Sequence, residues 1–294
     1  MNDVANAMAD LDFSKKYEGK ARDEVGQLGQ SINRLSEHLE RAIAELRQSN
    51  EQLALEIREK EKIDEMRREF IINVSHELKT PIALIQGYAE GLREGIAETQ
   101  EDRDYYCTTI SDEATRMNKM VMQLLSLSKL ELGREQPSLA DVELDELLAG
   151  AASKTALLAD AKGLAVERAD SGLTVRSDYG MLEQVVGNYL TNAIRYTPEG
   201  GRIRLSAARD ADGTVLTVMN EGEGVNEDEL PRLWEKFYRT DKARSRESGG
   251  TGVGLSIVKA TAGLLGGTCG ARNVPGGMEF WFRIPDGKPG AKTP

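Results

Sequence analysis

Between residues 39 and 57 the apolar side chains recur as Leu39, Ile43, Leu46, then Asn50, Leu53 and Ile57, in alternating steps of four and three. That period lays a narrow seam along a single helix, with one polar position in it, and predicts a coiled-coil or bundled partner. The rhythm would continue at Lys60 and Asp64. Apolar residues resume instead at Ile63, Met66 and Phe70, so the heptad breaks within the charged run REKEKIDEMRRE. Such a break changes supercoiling locally, and it reads either as a solvated face or as a joint that passes on a conformational signal.

The helix is expected to run on past His76 toward Leu92. Pro81 removes its own amide bond to the carbonyl of Glu77 and crowds it, which predicts a bend one turn after the histidine. After a turn around REGIAETQ, a second helix carries Ile110, Ala114, Met117, Val121, Leu124 and Ser128 at unbroken four-three spacing, antiparallel to the first if the connection is short. One hairpin cannot cover both apolar faces, so a homodimer forming a four-helix bundle is inferred.

Pro137 marks a change of texture. Short runs with strand character, LAVERAD, LTVRSD, GRIRLSAARD, GTVLTVMN, GTCGARNV and MEFWFRIP, alternate with helical segments at 145–161, 178–196 and 252–265. An α/β sandwich of about 150 residues follows, large enough to bury roughly 70% of its unfolded surface. The fold class expected is therefore multidomain, a helical hairpin forming a dimeric bundle and then an α/β sandwich, in agreement with room for about two domains in 294 residues. The tail GKPGAKTP, within 286–294, reads as disordered.

Composition narrows the partners. A net charge of -11 repels nucleic acid and acidic membranes, so any anionic ligand must meet a local basic patch. Cys107 and Cys269 stand far apart without metal-type spacing, which fits packing residues in a reducing compartment better than a disulfide framework. No run approaches the roughly 18–20 apolar residues of a membrane span, and no signal peptide is evident.

Several stretches carry chemistry. GGTGVGL, residues 249–255, opens an apolar helical run, and free amides at a helix start form an anion site. Just upstream, Lys236, Arg239, Lys242, Arg244 and Arg246 gather in an otherwise acidic chain. NEGEGV, residues 220–225, follows an apolar strand, and its glycines let backbone approach a flat ligand. In NYLTNAIRYT, Asn188 and Asn192 lie four apart on one helical face, with Arg195 and Tyr196 a turn further on. A carboxamide oxygen is a ligand that magnesium accepts when phosphates and water complete its octahedron, although a buried hydrogen-bonding pair would look the same. NVSHELKTP, residues 73–81, sets one of only two histidines beside Glu77. The other, His38, lacks such neighbours and reads as a helix-surface residue.

The order NYLTNAIRYT, NEGEGV, WEKFYR, GGTGVGLSIV resembles the N, first-glycine, F and second-glycine boxes of the histidine kinase branch of the GHKL ATPase superfamily. FIINVSHELKTPIALIQGYAEGL resembles the dimerisation and phosphoacceptor (HisKA) segment of the same sensor kinases, and DEVGQLGQSINRLSEHL is similar to the second half of a HAMP relay module. The resemblance covers about residues 1–285. It implies a partial HAMP relay at 1–45, a coiled-coil signalling helix at 46–68, a phosphotransfer domain at 69–134 and a catalytic ATP-binding sandwich of the GHKL type at 135–285.

By this resemblance the chain is the cytoplasmic portion of a membrane-associated sensor histidine kinase, with a membrane span and sensor expected before Met1. It would use ATP and Mg2+, phosphorylate His76 and pass the phosphoryl group to the receiver domain of a response regulator. Asn192 would hold magnesium, with Asn188 beside it. Arg195 and Arg239 would meet phosphate, and Tyr196 and Tyr238 would line the nucleotide pocket. The first-glycine turn would contribute Asn220, Gly222 and Gly224, and the second would contribute Gly250, Thr251, Gly252, Val253, Gly254 and Leu255. Residues 240–250 would form a lid. Glu77 would act as base, fixing the imidazole tautomer, and Thr80, one turn beyond His76, would position water for dephosphorylation of the regulator.

Two details qualify the carry-over. The first-glycine box usually begins with aspartate, which accepts a hydrogen bond from the adenine amino group, whereas position 220 is asparagine. Its oxygen can still accept, but charge assistance is lost, about 1 kcal/mol or about fivefold in affinity. Relatives of the fold that hydrolyse ATP carry a glutamate where Asn188 stands. Asparagine cannot activate water, so the nucleotide is expected to await an external nucleophile.

Overall fold

The computed structural model describes residues 2–19, 24–133, 135–240 and 251–285. The expected tail at 286–294, most of the expected lid, Gly249 and Gly250, and Lys242, Arg244 and Arg246 lie outside the described residues. The chain divides into two compact units, Met1–Ile71 and Ile72–Pro294.

In the first unit, a short helix α1 (Asn2–Ala9) precedes an extended segment and the start of a 70-residue helix α2 (Glu24–Arg93). Val4, Ala7 and Phe13 are buried. Asn33 ties the extended segment to α2: its Oδ1 accepts from Tyr17 N at 2.8 Å and its Nδ2 donates to Tyr17 O at 3.0 Å. The α1 helix escapes a reading by periodicity because eight residues with two inward positions define no stripe. The break in the heptad does not interrupt α2, and the helix also continues through Pro81.

In the second unit the end of α2 turns at residues 94–99 into α3 (Gln100–Glu131). Thr99 caps α3: its Oγ1 accepts from Asp102 N at 3.0 Å while Asp102 Oδ2 accepts from Thr99 N at 3.3 Å, which satisfies two otherwise unbonded groups. Tyr88 packs edge-on against Tyr106 with ring centroids 4.8 Å apart, closing the base of the hairpin.

The sandwich comprises β1 (Ala140–Glu143), α4 (Leu144–Asp160), β2 (Ala165–Arg168), β3 (Thr174–Ser177), α5 (Tyr179–Tyr196), β4 (Arg202–Asp210), β5 (Gly213–Glu221), a 3-10 turn (Leu230–Trp234), α6 (Gly254–Leu265), β6 (Thr268–Val274) and β7 (Gly277–Pro285). Its main sheet has the order β2-β4-β5-β7-β6, with β2 parallel to β4 and the other pairs antiparallel; β1 and β3 form a separate antiparallel ribbon. All six strand-like runs are strands. β1 was not anticipated, since ADVE has one buried residue, Val142, and four residues are too few to show alternation.

The core lies between the helices and one face of the main sheet. Leu182, Val185, Val186, Tyr189, Leu190 and Ala193 of α5 face Ile203, Leu205, Leu216, Val218, Phe280 and Phe282, all of them buried. Tyr189 stacks at 5.5 Å from Phe280, and its hydroxyl donates to Trp281 O at 2.9 Å, so the ring is buried with its polar tip satisfied. No helix among the described residues is long and apolar enough to cross a membrane.

Candidate functional site

The α5 helix starts at an N-cap, Asp178, whose carboxylate accepts from Met181 N at 2.9 Å. Its far end is held by Lys162, whose ammonium donates to the carbonyls of Ile194, Arg195 and Thr197 at 3.0, 2.9 and 3.2 Å. Helix ends leave carbonyls without intrahelical partners, and a cation there also complements the helix dipole. Between these anchors the apolar face of α5 is committed to the core. Asn188, Asn192 and Arg195 occupy another face, and this one borders a cavity.

The cavity has a volume of about 510 Å³. Its walls include Asn188, Asn192, Arg195 and Tyr196 from α5, Asn220 and Gly224 from the end of β5 and the turn after it, and Tyr238 and Arg239 after the 3-10 turn. Thr251, Gly252, Gly254 and Leu255 supply the side formed by the start of α6. Twelve sequence-predicted residues, spread over about 70 positions, thus share one lining. Gly222 and Val253 lie next to lining residues without bordering the cavity, and the Val253 side chain is buried. Gly250 lies outside the described residues. His76, Glu77 and Thr80 are on α2 and are not part of the lining; His76 and Thr80 are exposed and Glu77 is half-buried.

Local geometry explains several residue types. Gly252 has φ +66, and a Cβ there would stand 2.7 Å from Phe237 Cα, while Phe237 N donates to Gly252 O at 2.9 Å. Phe237 is itself left-handed at φ 63, a conformation rare for a bulky residue. At Gly254 a Cβ would lie 3.3 Å from Asn188 Oδ1, so glycine lets the start of α6 approach the asparagine face closely. The α6 helix begins at Gly254, two residues later than the sequence pattern suggests, because Gly252 is in the left-handed region.

The residues fit a nucleotide. Asn188 Nδ2 is buried with no hydrogen-bond partner among the described residues, an arrangement that is unfavourable unless something fills it. Asn220 is 3% exposed; its Nδ2 donates to Glu221 O at 3.2 Å, which leaves Oδ1 as its free acceptor. Apolar residues of β7, Met278 and Phe280, line the cavity and provide the apolar surface that a base requires. Charge is gathered here as well: among the described residues Arg116, Lys119, Arg195 and Arg239 line the cavity together with one carboxylate, Glu223. Burial holds the Arg195 guanidinium below its usual range, with the charges of Arg239 and Arg116 pushing the same way and Tyr196 opposing them. Arginine stays protonated even so, and the crowding of like charge favours an anion at this place.

Sequence reasoning missed Arg116, Lys119, Gln123, Met278 and Phe280 in the lining. For Met278 and Phe280 the signal was present, since alternate residues of β7 point to the same face. Arg116, Lys119 and Gln123 are polar residues of a helix read for its apolar seam alone, and nothing in their spacing marked them.

Family models match the chain in three places: the HAMP domain at residues 1–41, the His Kinase A (phospho-acceptor) domain at 66–133, and the histidine kinase-, DNA gyrase B-, and HSP90-like ATPase at 177–288. The sensor-like histidine kinase SenX3 of Mycobacterium tuberculosis (strain ATCC 25618 / H37Rv) is 35% identical over 226 residues, covering 76% of this chain and 55% of that protein. The sensor protein VanSB of Enterococcus faecalis (strain ATCC 700802 / V583) is 31% identical over 287 residues, covering 96% of this chain and 62% of that protein. Among solved structures, full-length ShkA in complex with AMPPNP superposes with a TM-score of 0.56 at 32% identity, over 72% of this chain and 44% of that one. The chain spans little more than half the length of these curated relatives. With the three modules matched in this order around the site just described, the chain belongs to the sensor histidine kinases that combine HAMP, HisKA and HATPase_c domains.

Proposed function

We propose that this chain transfers the γ-phosphoryl group of Mg·ATP to His76 and from there to an aspartate on the receiver domain of a response regulator. The observation that carries this reading is the cavity, where an unpartnered buried amide meets a glycine-rich helix start beside a cluster of cations. His76 is the one histidine in the segment that matches the phospho-acceptor model. The complex of ShkA with AMPPNP supports a nucleotide as the ligand.

In this reading the Asn192 oxygen holds Mg2+ with Asn188 beside it. Arg195 and Arg239 meet phosphate, Tyr196 and Tyr238 line the pocket, and Asn220 accepts from the adenine amino group through Oδ1. Gly222 and Gly224 admit the base, while Gly250, Thr251, Gly252, Val253, Gly254 and Leu255 form the phosphate cradle. Bound ATP supplies the phosphoryl group. One imidazole nitrogen of His76 attacks phosphorus; the N–P bond forms as the bond to the leaving oxygen of ADP breaks, and Glu77 accepts the proton from the other nitrogen. Positioning and cationic stabilisation supply most of the acceleration in such transfers. Asn188 has no basic carboxylate, so water is a poor substitute for His76. Thr80 positions water against the phosphorylated regulator, giving a phosphatase activity.

The modules act as a partial HAMP relay at 1–45, a signalling helix at 46–68, a dimerisation and phosphotransfer domain at 69–134 and a catalytic domain at 135–285, in a homodimer that forms the cytoplasmic portion of a membrane-associated parent. Incubation with γ-labelled ATP tests the proposal. Acid-labile label is expected on the wild-type chain and absent from His76→Gln; label of undiminished intensity on that variant would overturn the assignment.

A further inference from the structure

The α3 helix carries two stripes. The apolar seam Ile110, Ala114, Met117, Val121, Leu124 and Ser128 is only partly covered within one chain, with Val121 39% exposed. A second stripe, offset by one position, runs Arg116, Met120, Gln123, Leu127 and Leu130, and this one meets the sandwich: Met120 and Leu127 are each 1% exposed. Polar bonds flank the apolar contact. Gln123 Oε1 accepts from Thr251 Oγ1 at 2.8 Å, Ser126 Oγ accepts from Gln184 Nε2 at 3.0 Å, and Lys236 pairs with Glu131 at 2.8 Å. Toward its N-terminal end the stripe turns cationic where it passes the cavity, which Arg116 and Lys119 line.

We propose that Arg116 and Lys119 of α3 are ligands for the phosphate groups of the bound nucleotide, so that nucleotide fastens the sandwich to the helical hairpin. Two of the four cations that border the cavity among the described residues come from α3. In a chain of net charge -11 this placement calls for an anion on the cavity side. The Arg116 guanidinium stands 3.6 Å from Glu113, a contact too long to occupy its donors, and five N–H groups in a fixed fork leave several to meet phosphate. Lys119 is exposed and reaches the cavity on a flexible stem. A ligand that touches both bodies binds the docked arrangement more tightly than an undocked one, and by linkage docking then tightens nucleotide binding. The sandwich would be held on α3 by the very substrate it must later carry to His76.

This inference rests on the nucleotide reading above, and the test separates the two. Calorimetry on the full chain in a His76→Gln background, which prevents turnover, compares Mg·ATP, ADP and adenosine. Arg116→Gln with Lys119→Gln is expected to weaken ATP and ADP about tenfold and leave adenosine unchanged. Arg116→Lys with Lys119→Arg keeps both charges and should restore most of the affinity. Amide hydrogen exchange in residues 116–130 should slow on adding ADP to the starting chain, and much less in the double glutamine variant. Phosphate-bearing ligands bound within twofold of the starting affinity, or an equal loss for adenosine, would overturn the role of α3 while leaving the cavity a nucleotide site. No heat with any of the three ligands on the starting chain would remove the nucleotide reading itself, and this inference with it.

Discussion

Asn220 shows how one side chain can be read from sequence only in part. Its departure from aspartate was visible, and so was its capacity to accept a hydrogen bond. Its orientation was not, because the bond from Nδ2 to Glu221 O depends on how the strand end turns. With Oδ1 left as the free acceptor of a residue that lines the cavity, Asn220→Ala is expected to weaken ATP about fivefold and GTP much less, as measured by competition calorimetry; equal loss for both nucleotides would mean that the residue does not read the base. The cysteines are a second case. Burial pushes the Cys269 thiol up to about 11, whereas Cys107 is exposed. Since the thiolate is the reactive form, mass spectrometry after alkylation at pH 8 should find label on Cys107 in the folded chain and on Cys269 only in denaturant or as the pH climbs toward 11. Rapid labelling of both thiols at pH 8 would contradict this packing.

At the scale of elements, periodicity was legible wherever an element was long enough to repeat. The α5 helix shows its apolar face over 18 residues, and β5 and β7 alternate over nine each. The four-residue β1 and the eight-residue α1 have too few inward positions to define a pattern. The start of α6 was displaced because a glycine run signals freedom without saying where helical geometry resumes; the left-handed Gly252 facing the left-handed Phe237 decides it. Gly252→Ala places a Cβ against backbone rather than against a yielding side chain. A cost of about 1–3 kcal/mol from the strained φ alone is expected, and the collision adds to it. Denaturant unfolding should register that loss, with nucleotide binding weakened more than tenfold; a variant that melts and binds like the parent would show that the loop relaxes freely.

On the scale of the whole molecule, the seam of α3 that stays open in a single chain argues for a second copy. Val121, Leu125 and Met122 on α3 are exposed large apolar groups, as are Ile72 and Ile82 on α2, and a four-helix bundle would bury groups of this kind. Sedimentation should give the mass of two chains for the wild type and of one for Val121→Asp, because a carboxylate in the seam would have to be desolvated without a partner. An unchanged dimer would exclude this face as the contact. What the sequence alone determined were the local matters, namely the helical hairpin, the strands of the sandwich, and the asparagine, glycine and arginine boxes whose chemistry is set within a few residues of one another. Only the tertiary structure decided which stripe of α3 meets the sandwich and that Arg116 and Lys119 close its cavity. That choice depends on the fit of surfaces whose contacts join residues 58, 105 and 128 positions apart in the chain, and such complementarity leaves no period in the sequence.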